Sequence, residues 1–174
     1  MKNFTTKKLV LSALFAALTC VATMCIQIPT ALTQGYIHPG DSLVILCAIF
    51  LDPACAFFAA AIGSAMADML TGYFIYVPIT FIIKGMIALC GCKLWHSRIA
   101  SRIHPQIRVV LCGLIDIIFV AGGYCVSEGF IFGWAASVAG IPGSVVQGSV
   151  GLILAFVLYP LLNIPLKRIR SAQE

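Results

Sequence analysis

Six stretches of the chain are almost continuously apolar, and short polar segments separate them. The first, about residues 9–28, is long enough to cross a bilayer, which takes roughly 20 residues at 1.5 Å each. The second, 42–51, is short. Asp52-Pro53 ends it, because proline lacks an N–H and drives the residue before it out of helical geometry. An Ala- and Gly-rich third run covers 54–71. The fourth covers 78–94 and contains Lys84, the fifth covers 108–127 and contains Asp116, and the sixth covers 142–162. Between them the pattern predicts loops at Pro29–Asp41, Thr71–Pro78, Trp95–Arg108 and Glu128–Pro142. The expectation is an all-α integral membrane protein, a six-transmembrane-helix bundle in which residues 1–174 form a single membrane domain.

Charge placement sharpens this picture. With the N-terminus in the cytoplasm, Lys2, Lys7, Lys8, Lys93, Arg98, Arg102, Arg108, Lys167, Arg168 and Arg170 all fall on the cytoplasmic side. The outer loops then carry no Lys or Arg, as the positive-inside rule requires. The separation fails if the short second run does not cross, so that run is expected to span or nearly span. Both termini are then cytoplasmic. The positive N-terminus before an apolar run also resembles a signal peptide. The run exceeds the usual 7–15 residues of such a segment, however, and no A-x-A site follows it, so a retained helix is expected.

Composition agrees: 61% of the 174 residues are hydrophobic and 10% charged, with mean hydropathy +1.05. A soluble domain carries roughly 25% charge. The net charge of +5 lies at the ends of apolar runs rather than in a basic stripe, so no nucleic-acid partner is expected. The eight cysteines lie mostly inside apolar runs. Cys90-Gly-Cys92 has the wrong gap for a zinc pair, so packing is their expected role and no metal site is expected.

Intramembrane polar groups cost roughly 2.5–3.5 kcal/mol each at a helix centre, and each therefore needs a reason. Asp68 falls near the outer end of the third run. Lys84 lies about 10 Å below the outer end of the fourth. Glu128 is at the outer end of the fifth, with Tyr124 one turn inside it, and Gln147 is one turn into the sixth. His38 and Asp41 belong to the first outer loop, Tyr73 and Tyr76 to the second. These residues come from distant parts of the chain, yet all map to one outer layer. A few polar groups among aromatics in one layer make a candidate small-molecule site. The bland readings stand beside it. Asp68 and Lys84 form a structural ion pair, Glu128 and Asp41 face water, and Tyr73 and Tyr76 belong to the interfacial belt. Asp116, nearer mid-membrane, is expected to hydrogen-bond a neighbouring helix, and His96 and His104 to be solvated.

Small residues recur at four-residue spacing: Ala13 and Ala17; Ala59, Gly63 and Ala67; Gly140, Ser144 and Gly148. They let helices approach closely in lipid, either within the bundle or against a partner, and the first run is the likelier partner face.

Several segments together resemble the substrate-binding S components of energy-coupling factor (ECF) vitamin transporters. They are Gly35-Tyr36-Ile37-His38-Pro39-Gly40-Asp41, Ala67-Asp68-Met69-Leu70-Thr71-Gly72-Tyr73, Pro78 to Gly85, Tyr124 to Glu128, and Ile141 to Gly148. The resemblance covers most of the chain and is nearest the branch handling vitamin B6-like compounds or the hydroxymethylpyrimidine precursor of thiamin. It implies a multi-pass protein of a bacterial plasma membrane that captures a vitamin or precursor from outside. It also implies association with a transmembrane coupling protein and two cytoplasmic ATPases. Asp41, Asp68, Tyr73, Tyr76, Lys84, Tyr124, Glu128, Gln147 and His38 would hold the solute. Ala13 and Ala17 would contact the coupling protein, and the first outer loop and the Tyr73–Tyr76 turn would act as lids. The chain has no G-x-x-x-x-G-K-[ST] loop, so ATP would be used by the partner ATPases and no cofactor is expected on this chain. The alternative is a stand-alone secondary transporter or channel for a small polar solute, although inverted repeats are not evident. An enzyme is not expected: no G-x-S-x-G motif is present and the histidines lie outside the apolar runs.

Overall fold

The structure, a computed structural model, describes residues 6–29 and 36–171, and the side chains only as far as residue 164. Residues 30–35 of the first outer loop and the side chains of Lys167, Arg168 and Arg170 lie outside the described residues, as does Lys2. The described residues form six α-helices: α1 (Thr6–Cys25), α2 (Asp41–Phe50), α3 (Pro53–Thr71), α4 (Val77–Trp95), α5 (Pro105–Phe132) and α6 (Trp134–Ser171). A two-residue ribbon, β1 (Ile28–Pro29) and β2 (Tyr36–Ile37), pairs antiparallel between α1 and α2.

Proline sets the starts of α3, α4 and α5, where its missing N–H costs nothing. Gly72 ends α3 in the left-handed conformation, φ 86°, with its N–H on the Asp68 carbonyl. Five helices are long and apolar enough to cross a membrane, and α2 is a shorter apolar helix. Nearly all of α2 is buried, so it is the axis around which the other helices pack.

The expected loop over Glu128–Pro142 does not form. Helix α5 continues to Phe132 and α6 starts at Trp134, leaving Gly133 alone, at φ 93°, to turn the chain. Such a φ suits glycine and strains other residues. Ser137 Oγ donates to the Cys125 carbonyl at 2.5 Å and closes this hairpin. Pro142, read as a boundary, sits inside α6, because neighbouring helices in a membrane compensate the lost backbone bond.

The expected small-residue packing on α3 is present. Ala59, Gly63 and Ala67 are buried, and a Cβ on Gly63 would run into the Ala16 carbonyl of α1. The cysteines Cys47, Cys55, Cys92 and Cys112 belong to the apolar core.

The two ends of the bundle differ. At one end Lys8 pairs with Asp52 at 2.5 Å, and the Arg108 guanidinium lies 4.4 Å from the Trp95 ring centre. Trp95 also packs edge-on to Tyr159 at 5.5 Å. This end gathers the basic residues. The opposite end holds a polar cleft.

Candidate substrate-binding site

Helical spacing builds the cleft. On α4, Tyr76 at the N-cap, Thr80 and Lys84 follow at four-residue intervals and share one face. On α5, Tyr124 and Glu128 are likewise four residues apart on one face. On α6, Gly140, Ser144 and Gln147 line up along one side. Asp68 enters from the last turn of α3, and Tyr36, Ile37 and His38 come from the ribbon and the segment after it. The resulting cleft encloses about 500 Å³, its open mouth included. Tyr36, Ile37, His38, Asp68, Tyr76, Thr80, Tyr124, Glu128, Gly140, Ser144 and Gln147 form its walls.

The wall residues are tied to one another. Tyr36 Oη donates to Asp68 Oδ1 at 2.6 Å, and Tyr76 Oη donates to Glu128 Oε1 at 3.0 Å. The Thr80 and Tyr124 hydroxyls share a hydrogen bond of 3.0 Å. Asp68 Oδ2 has no hydrogen-bond partner among the described residues, although it is buried.

Beneath this layer Lys84 Nζ donates to Asp41 Oδ1, both side chains being 0% exposed. Gln147 Nε2 donates to Asp41 Oδ2 at 2.9 Å and links the ion pair to the cleft wall. Asp41 sits in the first turn of α2, where the helix dipole favours an anion. The Lys84 ammonium also lies 5.6 Å from the centre of the Tyr124 ring, a cation–π distance.

Six of the nine residues expected in the site, His38, Asp68, Tyr76, Tyr124, Glu128 and Gln147, line the cleft. The other three are placed differently. Asp41 and Lys84 lie one side chain below it, paired with each other. Tyr73 packs its ring 4.6 Å from Tyr36 and props that residue from behind. The alternative reading of an Asp68–Lys84 ion pair does not hold: Lys84 pairs with Asp41 at the start of α2, while Tyr36 holds Asp68. Glu128 and Asp41 are buried rather than water-facing, and Tyr76 is buried in the cleft wall rather than in an interfacial belt. Asp116 lacks the expected hydrogen bond. Both its oxygens are without partners among the described residues, because α6 presents Gly148, which has no side-chain donor, to it. His104 is exposed, as expected, and caps α5. His96 is exposed too, its Nδ1 2.9 Å from the Cys92 carbonyl.

Tyr36, Ile37, Thr80, Gly140 and Ser144 are cleft residues that the sequence reading missed. Thr80 was findable, lying one turn above Lys84. Gly140 and Ser144 were read as helix packing, whereas their small side chains here leave room for a solute.

His38 is 6% exposed. Its Nδ1 accepts the Gly40 N–H at 3.1 Å, and its ring lies 5.2 Å from that of Tyr36. Burial pushes the imidazole pKa down to about 4, Asp41 pulling the other way and Lys84 adding to the depression. The ring is therefore neutral at ordinary pH.

Ala13 and Ala17 lie on an open face of α1 with Leu9, Val10, Leu14, Leu18 and Val21, all exposed. Phe15, Thr19 and Thr23 occupy the opposite, buried face. The rest of the described residues leave the alanine face uncovered.

A multi-pass helical bundle with a small polar and aromatic cleft at the end opposite its basic residues has the build of a membrane-embedded solute-binding protein. The chain matches the family model of the ECF-type riboflavin transporter S component over residues 3–164. It is 30% identical over 167 residues to the thiamine precursor transporter HmpT of Lactococcus lactis subsp. cremoris, covering 94% of this chain and 92% of that protein. It is also 30% identical over 134 residues to an uncharacterized protein of Pyrococcus woesei, covering 77% of this chain and 86% of that one. The chain belongs to the S-component family of ECF-type transporters and is a multi-pass membrane protein that binds the transported substrate.

Proposed function

We propose that this chain captures a small heterocyclic vitamin precursor of the hydroxymethylpyrimidine type, and that a transmembrane coupling protein with two cytoplasmic ATPases completes its import. The cleft itself carries the reading. Two carboxylates, Asp68 and Glu128, stand among three phenol rings, Tyr36, Tyr76 and Tyr124. That set suits a flat, nitrogen-rich ring with hydrogen-bond donors, stacked on aromatics and paired to acceptors. Two relationships bear on the solute. The family model is named for riboflavin, while the relative covering nearly the whole chain is named for a thiamine precursor. The modest cleft favours the smaller ring. The basic end faces the cytoplasm under the positive-inside rule, so the cleft opens outward. The open Ala13–Ala17 face of α1 is the surface offered to the coupling protein, where small residues permit close helix approach.

Thermal stabilisation of the purified chain tests this reading, with hydroxymethylpyrimidine, thiamin, pyridoxine and riboflavin as ligands. A ligand at a hundredfold excess over Kd adds about 2.7 kcal/mol. Stabilisation by the pyrimidine, lost in Glu128→Ala and Gln147→Ala, is the expected result. Stabilisation by riboflavin alone overturns the choice of solute. Uptake into vesicles by this chain without partners overturns the dependence on ATPases and favours a stand-alone transporter.

A further inference from the structure

We propose that His38 is the specificity-determining residue of the cleft: its Nε2–H donates to an acceptor atom of the bound ring, while Asp68 Oδ2 receives an N–H or O–H from the same ligand. The inference deepens the heterocycle reading above and rests on it.

Hydrogen-bond accounting leads there. The Tyr36 proton is used by Asp68 Oδ1 and the Tyr76 proton by Glu128 Oε1. Thr80 and Tyr124 share one hydrogen bond, which uses one of their two hydroxyl protons, and one amide proton of Gln147 goes to Asp41. Asp68 Oδ2 is left as a buried acceptor in the wall with no partner among the described residues. Leaving such a group unpaired costs about 1–3 kcal/mol, which a ligand donor would recover.

His38 is the complementary donor. A neutral imidazole carries one proton, and its other nitrogen accepts. Gly40 N–H points at Nδ1, so Nδ1 is the acceptor and the proton resides on Nε2. With Nδ1 occupied by the backbone, the Nε2 edge is the one left for the cleft that His38 lines. Burial keeps the ring neutral and so preserves this tautomer.

The donor is also held in place. The backbone around Gly40 packs so closely on α1 that a Cβ there would collide with Thr23 Oγ1 and come within 2.9 Å of His38 Nδ1. Tyr36 packs on the His38 ring and at the same time fixes Asp68, so one residue sets the relative position of donor and acceptor. Ser144, the uncommitted proton of the Thr80–Tyr124 pair and the remaining Gln147 amide proton can also donate, but the hydroxyl protons rotate and the amide proton shares a nitrogen already committed to Asp41. A rigid donor discriminates more sharply than a rotating one, because a mismatched ligand cannot recruit it.

The test compares hydroxymethylpyrimidine with two pyridine analogues, each having one ring nitrogen replaced by C–H, by calorimetry on the full chain in detergent. His38→Asn places an amide oxygen near the Nδ1 position, where it can still accept from Gly40, but withdraws the donor. His38→Gln extends an amide N–H towards the Nε2 position. The native chain is expected to bind the parent compound about tenfold more tightly than one of the two analogues, the size of one net hydrogen bond. His38→Asn is expected to erase that ratio and His38→Gln to restore part of it. Equal weakening of all three ligands by His38→Asn overturns the specificity role and leaves the substrate reading standing. A native chain that discriminates neither analogue does the same. A native chain that binds none of the pyrimidine-type compounds overturns the substrate reading and this inference with it.

Discussion

The two ends of the bundle solve the same packing problem with opposite materials. Away from the cleft, α2 is surrounded by close apolar and aromatic contacts. Phe15 and Phe50 rings lie 6.1 Å apart, Phe50 stacks on Tyr159 at 5.9 Å, and Tyr159 meets Trp95. At the cleft end side-chain hydrogen bonds and a buried ion pair tie the helices together around the cleft. This contrast locates where the fold can accept a solute. Lipid tails are as apolar as leucine, so close van der Waals contact must hold the apolar end together. Fixed polar pairs can brace a gap without filling it.

The largest expected effect comes from breaking the brace. Lys84→Met leaves the Asp41 charge buried without its ammonium, a loss of about 3–5 kcal/mol. The thermal unfolding midpoint in detergent should fall sharply, and Asp41→Leu added to Lys84→Met should recover most of it. An undiminished midpoint in the single variant would place the pair outside the stability of the fold.

Acid should weaken the cleft end next. The folded pKa of His38, about 4, lies below the ordinary value of 6.5. As pH falls from 6.5 the unfolded chain takes up the proton first, so stability is flat above 6.5 and declines towards pH 4. The full loss is ~3 kcal/mol. A pH series of unfolding midpoints checks it, and His38→Asn should remove that portion of the slope.

The apolar end sharpens the contrast. Leu46→Ala, at a fully buried position of α2, should cost about 2–3 kcal/mol through lost packing while leaving ligand affinity unchanged. Gly151→Ala should cost about 1–3 kcal/mol, since its methyl would lie 2.7 Å from Asp41 Cβ. Unlike Leu46→Ala, it should also weaken binding, because Asp41 anchors Gln147. Calorimetry on both variants separates the two ends.

The smallest effect on the isolated protein should come from Ala13→Leu with Ala17→Leu. Both positions are exposed, so midpoint and ligand affinity should hold within about 0.5 kcal/mol. Co-purification with coupling protein and ATPases should be lost. Retained co-purification would move the docking surface elsewhere.

Much of this was legible in the chain. Apolar run length indicated five of the helices, because a full span takes about 20 residues, and charge sidedness pointed to the short α2. Depth counting along those runs brought His38, Asp68, Tyr76, Tyr124, Glu128 and Gln147 into one layer, and the cleft contains them. Partnership was not legible. Lys84 belongs with Asp41 rather than Asp68, and Tyr36 rather than a lysine holds Asp68. Either carboxylate satisfies a lysine on sequence grounds, and helix rotation and relative height decide between them. The Glu128–Pro142 segment misled for a related reason. Pro142 reads as a stop in water, but inside a membrane bundle neighbouring helices support the backbone it leaves unbonded.

Apolar run lengths and charge placement suffice to say that this chain crosses a membrane on several helices, with its basic end on one side and a polar layer near the other. Both follow from transfer energies that act on each segment separately. Three-dimensional packing alone sets which polar groups meet, that Gly140 and Ser144 line the cleft, and that Asp116 lies buried without a hydrogen-bond partner among the described residues. Those outcomes depend on how six helices turn their faces towards one another, and no single segment encodes that.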